Sequence, residues 1–265
     1  MSRSITLGQY YPGKSLIHRL NPRAKILSLV MVLILLFSLH TYEALLAQLA
    51  VALLLIWNTR VPFRYFLRGL RPILYIALFA IIIYFFFTSG GVVLLRIGFI
   101  TVESHGVQQG IFIILRLITL VLFSLLLTLT TTPLALTHGI GYFLKPLRYV
   151  GLPTEEIAMI MAIALRFIPT LMEESQRLMR AQISRGADFE TGSIFRRAKS
   201  LVPLIVPLFV SAFRRADDLA LAMEARGYRV GAVRTRMYED TIMPLDWTVL
   251  LVVIAMVAVA WILGL

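Results

Sequence analysis

Gly8-Gln9-Tyr10-Tyr11-Pro12-Gly13-Lys14-Ser15 has the residue types and spacing of a phosphate-binding loop, G-x-x-x-x-G-K-[ST]. Such a loop works only between a buried strand and a helix whose first amides cradle the phosphate. Met1 to Leu7 makes a weak strand at best, and Pro22 ends any helix after Ser15 almost at once. No other stretch offers a parallel sheet, so the expectation is a basic juxtamembrane segment, not a nucleotide site. The four histidines, His18, His40, His105 and His138, are scattered without metal-ligand spacing. Glu155-Glu156 and Glu173-Glu174 are adjacent pairs on helices, where neighbours point about 100° apart. That suits solvated faces, not a facing acid–base dyad. There is no supportable Ser/His/Asp grouping and no cysteine, which removes disulfides, iron–sulfur clusters and thiolate zinc sites. The expectation is a chain that is not an enzyme, has no metal and needs no cofactor of its own.

Two helix ends carry more information: Ser184-Arg185-Gly186 and Ala225-Arg226-Gly227. Taken singly, each reads as a helix terminus. Glycine relieves the strain of a left-handed cap, and arginine faces the negative end of the helix dipole. Taken together, the two arginines lie 41 positions apart, each between small residues that let a guanidinium stand proud. A planar guanidinium pairs bidentately with carboxylates, so the pair predicts docking, twice, onto acidic grooves of another protein.

The elements that must position these ends are set by composition. The 265 residues are 59% hydrophobic and 15% charged, with a mean hydropathy of +0.84. A soluble domain is nearer half apolar and a quarter charged, so the surplus belongs to a bilayer. The net charge of +12, with 22 of 26 cations arginine, could suggest nucleic acid. In a membrane chain it reads better as cytoplasmic loops attracted to anionic lipid. The first 25 residues are polar, with no apolar core or small-residue cleavage site of a signal peptide.

The fold class expected is all-α and polytopic: about five transmembrane helices, plus a cytoplasmic module of one short and two long helices. The order is a cytoplasmic segment over 1–25, four spans over 26–132, coupling helices over 133–245 and a last span over 246–265. Arg19, Arg23 and Lys25 precede the first apolar stretch, and Arg60, Arg64, Arg68 and Arg71 follow it. Two cytoplasmic flanks need an even number of crossings, hence two short spans, 26–39 and 42–57. Pro72 is read as opening the next span, and residues 88–109 as an external connection. The clearest span runs from Gly110 to Thr131. Inside it, Arg116 either snorkels to the outer interface or makes an intramembrane ion pair or partner contact.

From Lys145 to Arg236 there are 15 Lys/Arg and 9 Asp/Glu, too many for hydrocarbon. A short helix covers 134–149. A long one follows Pro153, with Thr154 as N-cap, and ends near Ser184; a second runs from about Ser193 or Lys199 to Ala225. Both begin apolar and turn charged while keeping an apolar stripe: Leu171, Leu178, Met179 and Ile183, then Phe209, Phe213, Leu219, Ala220 and Met223. Pro169, Pro203 and Pro207 are expected to kink them. Asp246 is expected to cap the final span, which leaves the C-terminus outside.

On these residues the chain resembles the transmembrane T component of energy-coupling factor (ECF) transporters. The resemblance covers nearly the whole length. It is strongest over Ala164-Leu165-Arg166-Phe167-Ile168-Pro169-Thr170-Leu171-Met172-Glu173-Glu174 and from Val202-Pro203-Leu204 to Ala222-Met223-Glu224-Ala225-Arg226-Gly227-Tyr228. The family's paired Ala-Arg-Gly motifs fall on the two helix ends above, with Ser184 replacing the first alanine. The resemblance implies a coupling subunit in a bacterial or archaeal cell membrane. Two ABC-type ATPases would receive one arginine motif each, and would bind the ATP. A separate membrane-embedded S component would carry a vitamin or other micronutrient. Nucleic acid is not an expected partner; the lipid bilayer is.

Three other readings have their own signatures. A self-contained secondary transporter shows inverted repeats and broken helices with mid-membrane polar groups, and only Arg116 fits that description. A membrane enzyme needs clustered His, Asp or Glu at the end of a span. An ordinary ABC permease forms its own substrate path and needs no S component.

Overall fold

The computed structural model describes residues 10–88, 90–97, 100–189, 193–232 and 243–262. Over these residues the chain is helical apart from one small hairpin. In order, the elements are α1 (Leu16–Arg19), α2 (Pro22–Ser38), α3 (Tyr42–Thr59), α4 (Phe63–Phe87), β1 (Val93–Ile97), β2 (Ile100–Glu103), α5 (Ser104–Thr130), α6 (Pro133–Leu144), a 3-10 turn (Lys145–Val150), α7 (Thr154–Ser184), α8 (Ile194–Ala225) and α9 (Pro244–Ile262). They fall into two compact units: Met1–Ile140 with Tyr238–Leu265, and Gly141–Met237.

The first unit is a helical bundle around Leu36, Leu45, Phe66 and Leu129, all but inaccessible. Among the described residues four helices, α3, α4, α5 and α9, are long and apolar enough to cross a bilayer. With 17 residues, α2 is shorter, about 25 Å. It starts where it does because the Asn21 side chain accepts from the Arg23 N–H at 3.0 Å and Pro22 takes the first position. Then α3 returns beside it, and the buried Gln48 amide donates to the Val32 carbonyl at 2.9 Å. The most extensive packing is of α4 along α5.

Pro72 does not open a span: α4 begins nine residues earlier, at Phe63, and runs through it. Arg64, Arg68 and Arg71, read as a cytoplasmic flank, are spaced to share one face of the first turns. A helix can thus carry them out of the apolar region while the proline removes a single bond. The connection over 88–109 contains the antiparallel β1–β2 pair, with Arg96 opposite Thr101 and Ile97 opposite Ile100. It is tied down where Ser104 N–H meets the Val92 carbonyl at 2.9 Å.

Two contacts align α2 antiparallel to α5. At one end Lys25 Nζ donates to the Thr130 carbonyl at 2.9 Å and to Thr131 Oγ1 at 3.2 Å. At the other, the Arg116 guanidinium donates to the Leu39 carbonyl. Fourteen residues separate the contacts on each strand of this ladder, 25 to 39 and 116 to 130. Arg116 thus meets a backbone carbonyl and, among the described residues, no carboxylate. It caps a helix that stops about 21 Å along α5, where its last carbonyls form the negative end of the dipole. The guanidinium also lies 4.7 Å over the Phe112 ring.

Asp246 joins the beginnings of two helices. One carboxylate oxygen accepts from Met243 N–H at 2.7 Å, the residue just before α9. The other accepts from Asn21 N–H at 2.8 Å, the N-cap of α2. An acid in the first turn reaching back to the cap is half of a capping box; here the second oxygen serves a second helix. Helices α2 and α9 therefore start from the same end of this unit.

In the second unit, α7 and α8 have 31 and 32 residues, about 47 Å each. The N-cap of α7 is Pro153. Thr154 is already helical, and its hydroxyl is buried without a partner, so it does not cap as expected. The reason is local: the Thr154 N–H turns back to the Leu152 carbonyl, which places Pro153 at the cap position. The short helix expected over 134–149 is split between α6 and the 3-10 turn, and its first part belongs to the first unit.

Candidate functional site

The two arginine ends are built identically. In α7, Arg185 is the C-cap and Gly186 follows with φ +86°. Gly186 N–H reaches the Ile183 carbonyl at 2.9 Å, and Ala187 N–H reaches the Gln182 carbonyl at 2.9 Å. In α8, Arg226 holds the same position and Gly227 has φ +73°. Gly227 N–H reaches the Glu224 carbonyl at 2.8 Å, and Tyr228 N–H reaches the Met223 carbonyl at 2.9 Å. This pair of bonds is the Schellman ending. A Cβ on either glycine would meet nothing within 4 Å, so glycine is required here for its backbone, not for space.

Ser184, Arg185, Gly186, Ala225, Arg226 and Gly227 are all exposed. Ser184 turns its hydroxyl back to the Arg180 carbonyl at 3.1 Å, leaving its face small. Among the described residues neither guanidinium has a hydrogen-bond or ion-pair partner.

The helices meet at Glu174 and Arg215, whose carboxylate and guanidinium lie 2.8 Å apart. Ser211, also bonded to Arg215 at 3.5 Å, holds the Glu174 carboxyl below the usual carboxylate range, and the Arg215 charge adds to this. These two residues are themselves 41 positions apart, the interval that separates the arginines. Each arginine therefore follows the crossing by eleven residues, 174 to 185 and 215 to 226, or about 16 Å along its own helix. The site is a pair of equal arms, pinned at one point, each tipped with an unpaired cation.

The α-helix continues through Pro169, Pro203 and Pro207. Each proline frees the carbonyl four residues back, on Leu165, Lys199 and Pro203. Along α8, Val202 (51% exposed), Val206, Phe209 and Phe213 (66% exposed) form an open apolar stripe. Of the residues expected to line stripes, Leu171, Leu178, Leu219 and Met223 are partly buried, while Met179, Ile183, Phe209, Phe213 and Ala220 are exposed.

The sequence of the CbiQ family, described as cobalt transport protein, matches residues 13–238. A Brevibacillus brevis protein named "Energy-coupling factor transporter transmembrane protein EcfT" is 48% identical, covering 98% of this chain and 99% of the relative. Proteins of the same name from Thermosediminibacter oceani and Bacillus subtilis are 49% and 47% identical, each over 89% of both chains. The chain belongs to the CbiQ/EcfT family. It is a multi-pass membrane protein and the transmembrane component of an energy-coupling factor transporter.

Other groups weighed as chemistry have structural employment in this EcfT-type chain. Gly8 and Gln9 lie outside the described residues. Ser15 N-caps the four-residue α1 through the His18 N–H, and its hydroxyl meets His18 Nδ1 at 2.7 Å. Tyr11 N–H is bonded to the Leu129 carbonyl at 2.9 Å, so the segment is an anchor on the bundle. His40 bonds the Ser38 carbonyl at 2.6 Å, and His105 pairs with Gln109 at 2.9 Å. Glu156 accepts from Gly231 N–H at 3.1 Å. Among the described residues no three His, Cys, Asp or Glu side chains gather as a metal site.

The Glu174–Arg215 pair was missed in the sequence, although its signal was available. A pair of opposite charges repeating the 41-residue interval of the two arginines marks the point where equivalent positions meet.

Proposed function

We propose that this chain couples two cytoplasmic ABC-type ATPases to a membrane-embedded, substrate-binding S component, for uptake of a vitamin or another micronutrient. Arg185 and Arg226 are the docking points, one per ATPase, each entering an acidic groove. The chain binds no nucleotide; the ATP belongs to its partners. The observation that carries this reading is the pair of matching Schellman ends, each with an exposed, unpaired C-cap arginine equally far from the Glu174–Arg215 crossing. Two equal arms suit two equivalent receivers, and an arginine fork suits carboxylates.

The open apolar stripe of α8 is the surface that the S component covers, in whole or in part. Pro169, Pro203 and Pro207 are the places where the arms bend as the ATPases move. The N-terminal segment is cytoplasmic, the chain crosses five times, and its C-terminus is external. The shared start of α2 and α9 at Asp246 supports an odd number of crossings.

The test is co-expression with the ATPases and an S component, followed by co-purification and uptake. Arg185→Glu with Arg226→Glu is expected to lose both ATPases and all uptake. Intact assembly and transport in that double variant would sink the proposal.

A further inference from the structure

The junction between α6 and α7 forms a recess of about 550 Å³ in the second unit, lined by Tyr142, Lys145, Arg148, Tyr149, Thr154 and Glu155 among others. We propose that it binds the headgroup of one anionic glycerophospholipid of the cytoplasmic leaflet, monoanionic and bearing free hydroxyls. This rests on the topology given above, in which the chain leaves the membrane after α5 and residues 133–245 lie on the cytoplasmic side.

Three observations converge. First, Lys145 and Arg148 are exposed on a short turn, and Lys145 Nζ lies 5.7 Å from the centre of the Tyr142 ring. Second, Tyr149 is 96% exposed and Val150 82%, beside exposed Tyr142 and Phe143. Aromatic residues interleaved with cations, with little to cover them, are the composition of a segment lying at headgroup level. Third, Thr154 in the wall of the recess is only 4% exposed, yet its hydroxyl has no partner among the described residues. A buried hydroxyl left unpaired is costly, and a phosphate oxygen is a strong acceptor for it.

The charges narrow the ligand. Two cations and the Glu155 carboxylate leave a single positive charge in the lining. A headgroup of net charge −1 balances it, whereas a zwitterionic one does not. Glu155 is an acceptor only, so the part of the headgroup beside it must donate. A phosphate diester carrying hydroxyls, as in phosphatidylglycerol, meets both demands. Phosphatidic acid, a monoester, carries more than one negative charge at neutral pH and has no hydroxyl arm.

The experiment is native mass spectrometry of the chain purified with its ATPases in mild detergent, with equimolar phosphatidylglycerol, phosphatidic acid and phosphatidylcholine added. The wild type is expected to retain phosphatidylglycerol about tenfold over phosphatidylcholine, and Lys145→Gln with Arg148→Gln to abolish that preference. Thr154→Val should lower retention, and Glu155→Gln should narrow the discrimination against phosphatidic acid. Equal retention by the wild type and the double variant would overturn the proposal. So would release of the lipid by inorganic phosphate, which would make this a site for the free anion. The same spectra separate the two readings: ATPases bound without lipid preference contradict the lipid site alone, and lipid preference without ATPases contradicts the docking arms alone.

Discussion

The two units of this protein treat their polar groups in opposite ways. In the first, two cations and a buried acid are used by the chain itself. Arg116 caps α2, Lys25 holds the end of α5, and Asp246 serves two helix starts at once. In the second, both C-cap arginines are exposed and unpaired among the described residues, and the apolar stripe of α8 lies open. Hydrocarbon offers no water to satisfy a stray donor, so these three groups find partners within the bundle, while Ser28 Oγ, Thr41 Oγ1 and Arg116 Nε have none among the described residues. On the coupling function proposed above, the second unit stands in water and its open groups face partners. The contrast separates a part whose charged groups serve its own helices from a part whose two arginine ends stay open.

Substitutions can break that contrast, and the largest effect should fall on Asp246. Asp246→Ala removes two hydrogen bonds from a carboxylate that is 1% exposed, costing about 3 kcal/mol or more. A marked fall in the melting temperature of the detergent-solubilised protein is the expected readout. Arg116→Leu should cost about 2 kcal/mol, since it uncaps α2 and removes the contact with Phe112. If Arg116→Leu left stability unchanged but lost a partner, the first unit would not be self-contained.

Arg60 ends α3 at φ +57°, a left-handed backbone that favours glycine. Arg60→Gly should therefore stabilise the protein by up to about 1 kcal/mol in the same melt. The pH dependence of the first unit has a named source. Burial lowers the pKa of His18 from 6.5, while its bond to the Tyr11 carbonyl works the other way. The unfolded chain then binds the proton more readily. His18 contributes stability that is full above pH 6.5 and lost as pH falls toward its folded value. Melts of His18→Gln should show less of this acid dependence.

The smallest effect on stability should come from the arms. Arg185→Glu and Arg226→Glu sit on exposed ends and should each change stability by less than about 0.5 kcal/mol. A large loss there would mean that the arms serve the fold.

Much of this was legible from local sequence. The arginines flanking 26–57 predicted the α2–α3 hairpin, and Arg-Gly predicted two helix endings that are Schellman motifs in detail. What was not legible depends on partners far along the chain. Nothing near Arg116 names Leu39, 77 residues away, and nothing near Asp246 names Asn21, 225 residues away. The β1–β2 pair is too short to stand out from an apolar stretch. Pro72 misled because proline marks a helix start more often than it survives within one. The Thr154 cap failed because Pro153 took its place.

The most direct measurement uses the absence of cysteine from the chain. Arg185→Cys and Arg226→Cys each create a unique thiol for a short photo-crosslinker in the assembled transporter. Arg180→Cys, one turn before the first arm's end, serves as control. The account predicts a crosslink to one ATPase subunit from position 185, to the second ATPase subunit from position 226, and a much weaker product from position 180. Crosslinks from both arm ends to the S component or to lipid, with none to an ATPase, would contradict it.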